Sequence, residues 1–276
     1  SPYLFGKITT QLGKIRYTNL FAELTEDIVF SGQNPGDGKY PKKFLATHRI
    51  DVAVLPNLEI GVYEAIMSDS ANINYFNPII FYRYLEQQQG SPDNAIVGLD
   101  FKWNIKNKYQ AYGQFVFDEF VIGELRSGNG SWRNKFGVQL GGKYFDAFDI
   151  PTLDLQAEYN VARPYFYAYE RSALSYSNYR NPLAHPMGAN LQEFILVGRY
   201  QPIPKLSLTG KLIYTDYGED ENGLNYGGNV LADTDDRIGG TGIRVGQGVS
   251  TNNTFLELSG SYMLLHNVFL DWRNIY

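Results

Sequence analysis

The 276 residues contain no cysteine. That excludes a disulfide framework, a thiol nucleophile and a thiolate metal site. Histidine is scarce, with only His48, His185 and His266 present, so the most versatile general base and metal ligand is nearly absent. Basic residues are outnumbered, 24 Lys and Arg against 29 Asp and Glu, for a net charge of -5. A nucleic-acid partner is disfavoured on that count, since phosphate binding needs a basic footprint. No run approaches the roughly 18 apolar residues of a membrane-spanning helix. No leader pattern opens at Ser1, as expected of a processed chain or a fragment. Aromatic residues, by contrast, are plentiful: 22 Tyr and 17 Phe.

Those aromatics sit in a two-residue rhythm. In NAIVGLDFKWNIKN (94–107), Ala95, Val97, Leu99, Phe101, Trp103 and Ile105 alternate with Gly98, Asp100, Lys102 and Asn104. A strand turns successive side chains to opposite faces, so this segment has one apolar face and one polar face. The pattern predicts strands near 3–11, 15–26, 43–55, 58–69, 94–105, 109–121, 135–148, 153–163, 191–200, 206–217, 253–265 and 268–276. Strands of soluble domains usually run about five or six residues. These run nearer the nine to eleven that cross a bilayer when tilted. Twelve strands closed with apolar faces inward would enclose an unfilled hole, so those faces must point outward to hydrocarbon. The fold class expected is therefore all-β, a transmembrane outer-membrane β-barrel with lipid as its partner, forming one domain over 1–276.

Connections alternate in length. Tight turns at 56–57, 106–108, 149–152, 201–205 and 266–267 separate long polar stretches at 27–42, 122–134, 164–190 and 218–252. Outer-membrane barrels have short periplasmic turns and long outer loops in this order. The same alternation leaves 70–93 without a crossing. Its punctuation, Asn77, Pro78 and Gly90, predicts a helix near 78–89 folded over or into the lumen; two short extra strands are the alternative.

The polar set would line the lumen: Arg49, Asp51, Asp100, Lys102, Gln114, Asp118, Gln139, Lys143, Gln156, Glu158, Glu193, Arg199, Lys211, Glu257, Asp271 and Arg273. Its mixed signs suit cross-strand pairs that brace a wall rather than a single-sign ion filter. Outward aromatics near strand ends (Trp103, Phe117, Phe136, Tyr144, Tyr159, Tyr200 and Tyr214) suit interfacial girdles.

Catalysis has little to work with. His48 falls on the apolar phase of its strand and His266 in a two-residue turn. His185 lies in RNPLAHPMGANLQEF with no Ser or Asp at a catalytic spacing, which favours a structural role in that loop. No metal site or cofactor is expected. GGTGIRVGQG (239–248) lacks the flanking strand and helix of a phosphate cradle, and GEDEN and ADTDDR lack the spacing of a calcium loop. The loop RPYFYAYERSALSYSNYRN (163–181) is more informative. Arg163, Tyr165, Tyr167, Arg171, Tyr176, Tyr179 and Arg180, with His185 further on, combine flat rings with guanidinium forks, which suit sugars or a protein partner. The alternative is a self-packed loop closing the barrel mouth.

The segments IRYTNLFAEL, NPIIFYRYLEQQQGSPDNAIVGLDFKWN, YGQFVFDEF, KFGVQLGGKYFDAF, LDLQAEYN, RPYFYAY and LAHPMGANLQEF together resemble the Wzi-type capsule-assembly family. The likeness is to the branch of gliding Gram-negative bacteria that includes motility-associated members such as RemB. That resemblance implies an 18-stranded outer-membrane barrel whose lumen is occluded by loops and helices, of which this chain matches the C-terminal two-thirds. It implies a non-enzymatic role in assembling or attaching surface exopolysaccharide. The second expectation is an accessory subunit of a gliding or secretion machine that docks protein partners in the outer membrane.

Overall fold

The computed structural model describes residues 3–26, 41–76, 82, 93–118 and 122–276. Twelve strands form one antiparallel sheet in chain order: β1 (Leu4–Leu12), β2 (Ile15–Thr25), β3 (Lys42–Leu55), β4 (Leu58–Ser68), β5 (Asn94–Ile105), β6 (Tyr109–Phe117), β7 (Phe136–Tyr144), β8 (Leu153–Ala162), β11 (Leu191–Ile203), β12 (Leu206–Glu219), β13 (Val249–Leu265) and β14 (Val268–Ile275). A two-residue hairpin, β9 (Ser177–Asn178) with β10 (Asn181–Pro182), and a short helix, α1 (Ile122–Ser127), stand in the long loops. Neither was legible as a periodic segment. Two strands end earlier than the alternation suggests. Strand β7 stops at Tyr144 because Asp146, Phe148 and Asp149 adopt positive φ in a turn, and β6 stops at Phe117.

Pairing register converts alternation into two belts. On one face Arg16, Asp51, Gly61, Asp100, Gln114, Gln139, Asn160, Glu193, Thr215 and Asn253 follow one another across ten strands, β2 to β13. One residue away, on the other face, run Ile15, Val52, Ile60, Phe101, Gly113, Leu140, Tyr159, Phe194, Tyr214 and Thr254. Burial is inverted relative to a water-soluble protein. Leu140 is 52% and Leu99 49% exposed, whereas Asp51 is 3% and Glu193 8% exposed. Each large apolar side chain left in water forgoes about 1.5–3 kcal/mol, and a continuous apolar belt is far beyond what a soluble monomer exposes. Hydrocarbon is the solvent this face requires.

The inner face is braced by charges and glycines. Arg49 donates both guanidinium arms to Asp100 at 2.5 and 2.8 Å and its Nε to Asp51 at 2.6 Å; Arg16 joins Asp51 to Glu59. Fork geometry of this kind gives orientation as well as energy. Room for these groups comes from glycine: a Cβ on Gly61 would meet the Arg49 guanidinium at 2.3 Å, and one on Gly98 the Tyr63 ring at 2.1 Å. Tyr63 also receives a hydrogen bond from Gln114 at 2.6 Å, which limits its freedom to move aside. Gly98→Val is therefore expected to lower stability by about 1–3 kcal/mol through overpacking, read as a lower unfolding midpoint in detergent. Gly6→Val, with nothing within 4 Å of the new Cβ, is the matched substitution and should not lower it.

Of the helix expected over 78–89, only Tyr82 lies among the described residues. The placement of that helix over or into the lumen, and the alternative of two short strands, fall on residues outside the described set. Tyr82 sits on the outward face: its backbone N–H donates to Glu64 at 2.7 Å, and its ring lies 4.3 Å from His48. Phe76 stacks on outward Phe21 at 4.8 Å. The physical reason is that Asn19, His48 and Glu64 are register neighbours on the outward face, and His48 pairs with Glu64 at 3.3 Å. Polar groups there need cover from hydrocarbon.

Candidate ligand site in the barrel lumen

Loop 163–190, between β8 and β11, folds onto the inner face. Phe166 is fully buried against the bare backbone of Gly137, and Tyr167 stacks beside Tyr176 at 5.7 Å. The loop then reaches distant strands. Lys43 of β3 donates to the Ser175 carbonyl at 3.0 Å and the Ser177 hydroxyl at 2.9 Å; Asn94 of β5 donates to the Leu174 carbonyl at 3.0 Å. Arg171 pairs with Asp69 at 2.7 Å, and the Tyr179 N–H donates to Thr25.

The loop between β12 and β13 locks onto this plug. Arg163 donates to the Ile243 carbonyl at 3.2 Å, and Tyr165 donates its hydroxyl to the Asn225 carbonyl at 2.9 Å. Asn190 ties Gly218, Gly246 and Gln247 together through both ends of its amide. Burial raises the Tyr165 and Tyr167 phenols above their usual value and that of Tyr176 to about 12; it pulls Arg163 below its own. The three phenols thus stay protonated.

Arg163, Tyr165, Tyr167 and Tyr176 are spent on packing. Arg171, Tyr179 and Arg180 stay on the surface, and Tyr179 and Arg180 form the hairpin tip with φ of 47° and 65°. Both central residues of a two-residue turn of this kind need positive φ. His185 donates its Nε2–H to Glu193, 3.1 Å away, and its Nδ1 accepts the Met187 N–H at 3.3 Å.

Below the plug, the inner face carries a cavity of about 610 Å³. Wall residues Gln114, Gln139, Glu158, Asn160, Glu193, Ile195, Ile213, Thr215, Asn253 and Phe255 line it, with Tyr167 and 184–187 forming its roof. Asn160 donates one amide nitrogen to both Glu158 at 3.0 Å and Glu193 at 3.1 Å. Glu158 further accepts from Tyr112 at 2.6 Å and Gln139 at 3.0 Å, and Glu193 from Thr215 at 3.2 Å. Sequence reasoning named the two carboxylates, Tyr167 and His185 but missed Ile195 and Phe255, because depth beneath a loop leaves no mark on alternation.

The other charged residues expected in the lumen share this sheet face. Lys102 stands opposite Glu59 and Tyr112, Lys143 over the Tyr112 ring at 5.8 Å, and Arg199 opposite Asp154. Lys211 lies over the Phe255 ring at 5.9 Å, Glu257 pairs with Arg273 at 2.8 Å, and Asp118 pairs with Lys135 at 3.3 Å. Among the described residues no cluster of three His, Asp or Glu could hold a metal ion.

At the short-turn end, Tyr109 stacks on Tyr144 at 4.7 Å and Phe148 meets Tyr144 edge-on at 5.6 Å. Trp103, Tyr159 and Tyr214 are exposed on the outward face. Lys108 clasps Asp149 across neighbouring turns, which holds that carboxyl below its usual value.

No family model matches the chain, and no curated protein is similar to it in sequence. Solved structures are similar in fold. Wzi of Escherichia coli, an outer-membrane protein involved in group 1 capsule assembly and a carbohydrate-binding β-barrel, superposes with a TM-score of 0.58 at 12% identity, over 95% of this chain and 52% of its own. OccD3 (OpdP) of Pseudomonas aeruginosa gives 0.47 at 13% identity, over 98% of this chain and 62% of its own. The chain thus spans about half the length of the Wzi barrel. Its fold is that of an outer-membrane β-barrel, and the place of such a fold is the bacterial outer membrane.

Proposed function

We propose that this barrel supports the assembly or attachment of surface polysaccharide and catalyses no reaction. The observation that carries the reading is the pairing of a stoppered lumen with a cavity of amides, carboxylates and an aromatic ring. An open transport path would need a continuous water column past 163–190, which the buried Phe166, Tyr167 and Leu174 oppose. Amide and carboxylate groups held by a rigid wall suit hydroxyl-rich ligands. The capsule role of a barrel with the same fold agrees with this reading. The test is deletion of the gene in its native cells, followed by staining and quantification of surface polysaccharide. Release of polysaccharide into the medium is the expected result; an unchanged cell-bound amount ends the proposal.

A second reading, an accessory subunit of a gliding or secretion complex, is favoured by one separate feature. An apolar groove of about 330 Å³ on the outward face is lined by Leu4, Phe21, Phe44, Ala46, Tyr75 and Phe76. Crosslinking from Phe76 in native membranes would identify a stable protein partner there; lipid alone removes this second reading.

A further inference from the structure

Resting on the polysaccharide reading, the cavity lining points to a class of sugar. We propose that the lumenal cavity under the plug holds a neutral or amine-bearing hexose unit of the glycan and turns acidic sugars away.

The hydrogen-bonding chemistry is that of a polyol site. Gln114, Gln139 and Asn253 can each donate and accept, as a sugar hydroxyl does, and the Asn160 side-chain oxygen can accept. Phe255 offers an apolar ring on the same wall, and flat rings pack well against the C–H face of a hexose. A volume of about 610 Å³ lies within the range of small-molecule sites.

Charge then discriminates. The carboxylates of the lining, Glu158 and Glu193, are tied together through one Asn160 nitrogen. Their other partners are Tyr112, Gln139, Thr215 and His185, of which His185 alone can become a cation. The inner-face cations Lys143 and Lys211 sit one inward position closer to the turns, over the Tyr112 and Phe255 rings, and are not part of the lining. A uronate entering the cavity would set its carboxylate beside those of Glu158 and Glu193, whereas an ammonium is attracted.

The test uses the full-length protein, purified in detergent and immobilised. Polysaccharide extracted from the native cells is separated by anion exchange into neutral or amine-bearing and acidic pools. The neutral pool should bind at least about tenfold more tightly than the acidic one. Phe255→Ala should weaken that binding about tenfold or more, and the double substitution Glu158→Gln, Glu193→Gln should close the gap between pools. Unchanged cooperative unfolding shows that each variant is folded. Equal retention of the two pools overturns the inference while leaving the polysaccharide reading in place. So does binding that survives Phe255→Ala but is lost in Arg180→Ala at the exposed hairpin tip. Retention of neither pool removes both.

Discussion

Replacing Lys135 by methionine is expected to cost about 3–5 kcal/mol of barrel stability, because it strips the cation from a buried carboxylate. Lys135 and Asp118 face each other at 3.3 Å with side chains each 1% exposed, where β6 runs out and β7 begins. The ammonium also donates to the Ala168 carbonyl at 3.5 Å and lies 5.4 Å above the Trp132 ring, so one charge joins the wall to the plug. Arg237 stacks on that same indole at 4.1 Å, extending the join to the loop after β12. The substitution takes away the ammonium that stands 3.3 Å from the buried Asp118 carboxylate. Replacing both removes two desolvation penalties together. The double substitution Asp118→Leu, Lys135→Met should therefore recover most of the loss. Denaturant unfolding in detergent, followed by circular dichroism, measures both. A single substitution as mild as the double one would mean that the pair is solvated.

The largest functional effect should come from excising the plug. Joining β8 to β11 by a short Gly-Ser linker in place of 164–189 removes Phe166, Tyr167 and Leu174 from the lumen. It also removes the anchors that Lys43 and Asn94 hold. The segments 122–135 and 220–248 lean on the same loop, through Lys135 with Ala168 and through Tyr165 with Gly227 and Asn225. They should loosen with it. In planar bilayers the intact barrel is expected to be nearly silent and the excised one to conduct at least about tenfold more, as wide barrels do when unobstructed. Equal conductance in the two would show that the plug does not seal the lumen.

Much of this architecture could be read from residue order. Alternation in 94–105 and its counterparts marked the strands, and loop lengths marked the two ends of the barrel. Side-chain phase separated Asp100 from Leu99 and Glu193 from Phe194. Three features escaped. The β9–β10 hairpin is too short to show a period, and its Tyr179-Arg180 turn lacks the usual Asn-Gly signal. The cover over His48 and Glu64 was hinted at by His48 on the apolar phase of its strand, yet the packing of Tyr75, Phe76 and Tyr82 there had no local cue. The cavity needed the plug's depth, which depends on where Gly137 lets Phe166 settle.

By itself the sequence determined which face of each strand meets hydrocarbon, since a two-residue period leaves no freedom once the strand forms. Only the tertiary structure decided what the polar face encloses. Lys43 meets Ser175 across 132 residues of chain, and Asn190 meets Gln247 across 57. Contacts of that span are set by sheet register and loop closure, which no local pattern encodes.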